Sequence, residues 1–111
     1  MTAEENFDAL VEILSNEPGV TPPGASPSRG FGSNALKVNG SIFAMLAYGR
    51  LVVKLPAARV SELLADGTGG PFSAGKGRPM REWVSVDVDH GDLWEDLARE
   101  ALLFVALPPP P

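Results

Sequence analysis

An Asn-Gly pair between two apolar segments limits the fold of this chain more than any other feature. Asn39-Gly40 separates the segment 35–38 from the segment 41–47. A two-residue type I′ turn needs positive φ at both central positions, and asparagine followed by glycine tolerates this well. The sequence therefore predicts an antiparallel β-hairpin. The second segment is apolar on both faces, which is typical of a central strand that is covered on both sides.

The hairpin is predicted to continue into a meander and then into mixed structure. Tyr48-Gly49-Arg50 predicts a second tight turn, and the apolar segment 51–55 predicts a third strand. Pro56 suits the first turn of a helix, where its missing N–H costs nothing, and Gly67 ends that helix. The alternation of apolar and polar residues over 83–86 predicts a fourth strand.

Amphipathic helices are predicted near both ends of the chain. Thr2 with Glu5 is a capping-box pattern, and apolar residues at helical spacing then predict a helix over 3–15. Asp92 with Glu95 repeats the capping pattern before a longer amphipathic segment. We therefore expect an N-terminal, a middle and a C-terminal helix.

Glycine- and proline-rich segments set the loops and the limits of the domain. Segments 17–33 and 69–79 favour neither helix nor strand, and four prolines form a tail over 108–111. For this tail we favour a disordered terminus over a ligand for SH3-like grooves. The sequence thus predicts one α+β domain over 1–107. Its antiparallel sheet of about four strands, a meander plus one, is flanked by the three helices.

Composition excludes several functional classes. The chain has 111 residues and no cysteine, which excludes disulfides, thiolate metal sites and thiol catalysis and suits a reducing cytoplasm. Its amino terminus is acidic, unlike a secretory signal. The longest apolar runs, 42–47 and 101–107, are far below the roughly 18 residues of a membrane span. We therefore expect a cytoplasmic protein that does not insert into a membrane.

Charge is divided unevenly along the chain. The net charge of −5 argues against binding nucleic acid by neutralising phosphates. The sequence also shows no helix-turn-helix with a basic recognition helix, so we expect no specific binding to duplex DNA. Segment 29–81 nevertheless holds eight basic and two acidic residues, whereas the rest holds twelve acidic residues and only Arg99 as a base. We favour neutralisation of this basic middle segment by the acidic terminal helices. An anion-binding face on the segment is the alternative.

Two patterns suggest catalysis, and both lack the context that catalysis needs. Segment 70–77 has the Gly-x4-Gly-Lys spacing of a phosphate loop, but it ends in Gly77 where magnesium needs a hydroxyl, and no helix follows it. His90 lies beside Asp87 and Asp89, but the chain has no second histidine for a transition-metal site, and the segment is too short for a calcium loop. The sequence also lacks the Gly-x-Ser-x-Gly motif of a serine nucleophile. An exposed turn with capping aspartates is favoured there. We expect no catalytic residues, metal or cofactor.

Cations crowd around a tryptophan in segment 75–83. Amides of a glycine-rich loop together with arginines can hold a carboxylate or phosphate, and the tryptophan can stack on an arginine or on a planar ligand. The alternative is a solvated loop whose tryptophan only anchors the strand in the core. The candidate site for an anion or a partner consists of Lys54, Lys76, Arg78, Arg81 and Trp83.

Short motifs over residues 29 to 105 follow a family pattern. They are Arg29-Gly30-Phe31-Gly32, Leu36-Lys37-Val38-Asn39-Gly40-Ser41-Ile42-Phe43-Ala44-Met45, Leu51-Val52-Val53-Lys54-Leu55, Pro71-Phe72, Lys76-Gly77-Arg78-Pro79-Met80 and Trp83. In these motifs the chain resembles the TfoX N-terminal-domain-like family. The chain departs from the family at Gly30-Phe31, where the family commonly has Lys-Met-Phe and thus one more basic residue.

The resemblance implies a fold and a class of function. It implies an α+β fold with an antiparallel sheet flanked by helices, as in the related YjbR-type proteins, and it lends no catalytic residues. In TfoX this domain is one half of a regulator of bacterial competence. We therefore expect a non-enzymatic, cytoplasmic interaction or regulatory module whose partner is a protein. The alternatives are a small-anion or metabolite-binding protein that uses the 76–81 loop, and then an enzyme; a homodimer is left open.

Overall fold

The computed structural model describes residues 2–22, 35–72 and 81–106. Six β-strands, three α-helices and one 3₁₀ helix occur in this part of the chain. In chain order they are α1 (Ala3–Leu14), β1 (Val20–Thr21), β2 (Ala35–Val38), β3 (Ser41–Ala47), β4 (Arg50–Lys54), α2 (Ala57–Ala65), β5 (Gly70–Pro71), β6 (Trp83–Val86), the 3₁₀ helix Val88–Leu93 and α3 (Trp94–Ala106). The strands form one antiparallel sheet in the order β1-β2-β3-β4-β6-β5. The predicted α+β fold with a flanked antiparallel sheet is confirmed.

The sheet has two more strands than the sequence predicts, one at each edge. Both β1 and β5 are only two residues long and lie in segments predicted as loops. Strands this short show no periodicity, and they form because a neighbouring strand offers hydrogen-bond partners. Val20 pairs with Val38, and Gly70 pairs with Ser85, whose hydroxyl also donates to the Gly70 carbonyl at 3.2 Å.

The N-terminal capping box is present, whereas the start of the last helix differs from the prediction. The Glu5 N–H donates to Thr2 Oγ1 at 3.1 Å, and the Thr2 N–H donates to Glu5 Oε1 at 3.0 Å. The expected start at Asp92 is wrong, because helical backbone begins earlier in the 3₁₀ helix. There Asp87 acts as the N-cap, and its Oδ1 accepts from the Asp89 N–H at 3.0 Å.

A β-bulge places two successive apolar residues of β3 in the main core. Leu36 pairs with Ala44 and Lys37 pairs with Ile42, so Phe43 is an extra residue on β3. Two residues then oppose one, and the strict alternation of faces is interrupted. Phe43 and Ala44 consequently both join the main core, where both are fully buried.

The core is divided by the sheet. The main cluster joins one face of the sheet to the buried residues of all three α-helices, including Leu10, Leu63 and Trp94. A smaller cluster contains Val52, which alternates with the main-core residues of β4 and therefore faces the other side. Its buried members are Ala35, Met45, Val52 and Phe72.

The helices are short. The longest in the described residues, α3, has 13 residues, and no helix in that part of the chain combines the length and apolarity needed to cross a membrane. The predicted proline tail over 108–111 and the upper limit of the domain at residue 107 lie outside the described residues.

Candidate functional site

Lys54 and Trp83 occupy directly opposite positions on neighbouring strands. The register of β4 and β6 pairs them, and opposite residues of an antiparallel pair face the same side. Lys54 Nζ lies 5.9 Å from the centroid of the indole ring, within range of a cation–π interaction. On another side the indole is tilted by 51° against buried Phe72, with 6.4 Å between ring centroids. The half-buried tryptophan therefore orients the lysine at the end of β4.

Arg81 lies two residues before β6 and is exposed. The backbone beside it is fixed, because the Leu55 N–H donates to the Glu82 carbonyl at 2.9 Å and so prolongs the β4–β6 pairing. Arg81 lines the same concave surface as Lys54 and Trp83. Three of the five predicted site residues are thus brought together.

Two adjoining concavities form what we call the α2–β6 trough. Their volumes are about 390 Å³ and about 440 Å³, and they share Ala57, Arg81 and Trp83, so the surface is continuous. One end, the apolar end, adds Ala58, Val60, Ser61, Leu64 and Pro71. The other, the cationic end, adds Lys54 and Glu82.

The first turn of α2 lies at the trough, since Ala57 and Ala58 line it. The N-cap is Pro56, no side chain in the described part of the chain caps the helix, and the first turn carries no acidic residue. The first N–H groups of a helix lack intrahelical acceptors and carry partial positive charge. This helix start adds to the positive charge of Lys54 and Arg81, while Glu82 offsets part of it.

The C-terminal helix neutralises Arg59 of the basic middle segment, as predicted from the charge pattern. Arg59 of α2 donates to both carboxylate oxygens of Glu100 on α3, at 3.0 and 3.1 Å, and also lies 3.4 Å from Glu62. The pKa of Arg59 is raised, chiefly by the hydrogen bonds to Glu100. Arg50 lies 3.7 Å from Asp87 after β6. These pairs join α2 to α3 and the second hairpin turn to the end of the sheet.

The cations that line the trough differ from Arg50 and Arg59 in their carboxylate contacts. Within residues 2–22, 35–72 and 81–106, neither Lys54 nor Arg81 has a carboxylate oxygen within 4.0 Å, and the same holds for Lys37 on β2. Neutralisation by the terminal helices therefore does not extend to these three in the described part of the chain.

The remaining predicted site residues, Lys76 and Arg78, lie outside the described residues, and their contribution stays a prediction. The apolar wall of the trough was missed. Leu64 is 39% exposed and lines the trough, whereas Val60 and Leu63 of the same helix are buried. The one available signal was that Leu63 and Leu64 are adjacent, because neighbouring helical residues point about 100° apart.

The aspartate at the start of the 3₁₀ helix has a structural role. Asp87 caps the 3₁₀ helix, and its carbonyl oxygen accepts a hydrogen bond from Trp94 Nε1 at 3.1 Å. His90 itself lies at a kink in that helix, with φ −106° and ψ 30°. Among the described residues, no three histidine, cysteine, aspartate or glutamate side chains are grouped as metal ligands would be.

Comparison of the chain with protein-family models, with curated proteins and with solved structures gives no match. The resemblance to the TfoX N-terminal-domain-like family thus stays a prediction from motifs.

Proposed function

We propose that this protein is a non-enzymatic, cytoplasmic interaction module that binds an acidic protein partner through the α2–β6 trough. One observation carries the proposal: Lys54 and Arg81 line one concavity beside Trp83, and neither has a carboxylate partner in the described part of the chain. A regulatory role of the TfoX N-terminal type, in a bacterial cell, fits such a module.

Electrostatics favours an external anion at the cationic end. Lys54 and Arg81 are joined there by the start of α2, and Glu82 is the one acid among the described residues that line this end. Like charges near one another weakly destabilise the free protein, and a carboxylate between them removes that repulsion. Guanidinium groups also bind carboxylates with two parallel hydrogen bonds, which gives geometric specificity.

The chemistry of the lining supports binding over catalysis. Among the described lining residues, Ser61 and Glu82 lie at different ends of the trough, and none is a histidine. A nucleophile needs a base within about 3 Å, and the lining groups do not supply such a pair. Trp83 instead provides a flat, partly exposed surface beside the cations, as aromatic residues do in protein interfaces.

Titration with poly-L-glutamate tests the proposal. Trp94 is 1% exposed and donates to the Asp87 carbonyl, so its indole N–H signal in a ¹H–¹⁵N NMR spectrum serves as an internal control for the Trp83 signal. We expect the Trp83 signal to shift while the Trp94 signal stays in place. The response should weaken between about 0.02 and 0.2 M salt, because exposed charges are screened.

Matched variants decide whether the trough is responsible. Lys54→Ala and Arg81→Ala should each weaken binding of poly-L-glutamate, whereas Lys37→Ala, which removes a strand cation that does not line the trough, should leave it unchanged. Equal losses in all three variants would show that only the overall charge matters. A Trp83 signal that does not respond to poly-L-glutamate at low salt would contradict the proposal.

The second candidate is a small-anion or metabolite-binding protein. It is favoured by the volumes of the two concavities, about 390 and 440 Å³, which fall within the range of small-molecule sites. A thermal-shift screen of anionic metabolites tests it, since a ligand at 100 times its Kd stabilises by about 2.7 kcal/mol. A hit whose effect is lost in Arg81→Ala would favour this candidate.

A further inference from the structure

The two ends of the α2–β6 trough differ in chemistry. Leu64 and Pro71 lie at the apolar end with the methyl groups of α2, and Lys54 lies at the cationic end. Arg81 and Trp83 belong to both ends. A ligand that is only an anion would fill the cationic end and leave exposed leucine and proline in water. The surface as a whole is complementary to a ligand that has an anionic part and an apolar part.

The exposure of the trough walls favours a peptide segment over a small molecule as the ligand. Of the eight described residues that line the apolar end, six are exposed: Ala57, Ala58, Ser61, Leu64, Pro71 and Arg81. Small ligands are held in sites that bury 70–90% or more of their surface, and an open trough does not do this. A peptide segment lies along such a surface and inserts individual side chains into it.

The edge of the sheet limits how a segment binds. The outermost strand beside the trough, β5, consists of Gly70 and Pro71. Proline has no N–H, so this edge lacks a donor that a ladder with a new strand would use. Recognition by strand addition is disfavoured, and side-chain contacts with the trough must supply the specificity.

We propose that the partner contributes an acidic segment that carries a large apolar side chain next to its carboxylates. The apolar side chain packs between Leu64 and Pro71, and the carboxylates bind Lys54 and Arg81 beside Trp83. This inference rests on the proposed function, and it adds the apolar anchor and the form of the ligand.

Selection from a random dodecapeptide display library on the full chain tests the inference. We expect enrichment of peptides in which aspartate or glutamate occurs within a few positions of leucine, phenylalanine or tryptophan. A synthetic copy of an enriched peptide should bind in about 0.1 M salt. Replacing its large apolar residue by alanine, or its acidic residues by glutamine, should each weaken binding at least about tenfold, as expected when a buried apolar group or a charged hydrogen bond is lost.

Paired variants of the protein identify the surface. Leu64→Ser should weaken binding of the selected peptide about tenfold, whereas Leu103→Ser, at a leucine that is 69% exposed on α3 and does not line the trough, should not. Ala58→Glu is a second variant in case Leu64→Ser does not fold. It places a carboxylate on the exposed first turn of α2, where it should stabilise the helix and compete with the acidic peptide.

The outcomes separate this inference from the proposed function. Enriched peptides that are acidic without a large apolar residue, or binding that Arg81→Ala weakens and Leu64→Ser does not, would overturn the inference and leave an acidic-partner site. A library that yields no enriched peptide while poly-L-glutamate still shifts the Trp83 signal would do the same. Failure of both measurements would remove the proposed function as well.

Discussion

Replacing Tyr48 by asparagine should stabilise the protein. Tyr48-Gly49 and Asn39-Gly40 form the two tight turns of the meander, and their φ values are nearly the same: 54° and 72° in the first, 52° and 86° in the second. The left-handed region costs an ordinary L-residue about 1–2 kcal/mol, and asparagine is among the residues that visit it routinely. Tyr48 is 91% exposed, so its ring gains little from packing that would offset this cost.

We expect Tyr48→Asn to raise the free energy of unfolding by about 1 kcal/mol, or Tm by about 4 °C for a domain of this size. Chemical denaturation followed by circular dichroism measures it. Tyr48→Ala is the control, because alanine removes the ring and keeps the unfavourable φ, so it should give no comparable gain. Equal stabilisation by both variants, or none by asparagine, would refute the argument from backbone conformation.

Three further expectations concern packing, charge and pH. Gly69→Ala should destabilise by about 1–3 kcal/mol in a denaturant titration, because a Cβ there would overlap the Val84 side chain. Arg59→Ala should lower the free energy of unfolding by up to about 1 kcal/mol, and by less in high salt, because its ion pairs are partly exposed. Arg81→Ala breaks no ion pair among the described residues and removes a like charge near Lys54, so it should leave Tm unchanged or raise it slightly. The hydrogen bonds with the N-cap residue lower the pKa of Glu5. The capping box should therefore stabilise α1 fully at pH values above the ordinary glutamate pKa and lose this effect as the pH falls through the lowered pKa. An NMR titration of the Glu5 carboxyl measures this pKa.

Features fixed by a few neighbouring residues could be predicted from the sequence. The Asn39-Gly40 turn and the Thr2–Glu5 capping box each depend on local backbone requirements, and both occur where expected. The edge strands depend on distant partners, so a local pattern does not show them. Gly70 becomes part of a strand only because Ser85, fifteen residues later, offers a ladder and a hydroxyl donor.

In the candidate site, too, local features could be predicted from the sequence, whereas features that depend on distant residues could not. The sequence shows the cations of the site, but it does not show that the lysine and the tryptophan lie directly opposite each other. The chain between β4 and β6 contains α2, β5 and an 11-residue connection, 72–82, and so long a connection does not fix the register of the two strands. The register places Lys54 opposite Trp83. The apolar wall escaped prediction for a further reason: a short helix on a sheet buries one narrow face, which Val60 and Leu63 occupy, so Leu64 turns outward.

The two interpretations of the basic middle segment are compatible, because its cations lie on different sides of α2. Arg59 lies on the side of α2 that meets α3, where Glu100 neutralises it and ties two helices together. Lys54 and Arg81 lie on the other side of the same helix, where no carboxylate of α1 or α3 comes within ion-pair distance. The helix α2 therefore separates an arginine that is paired within the fold from the cations that can bind a partner. A partner that binds at the trough need not disturb the ion pairs that hold the fold, which is the arrangement a binding module requires.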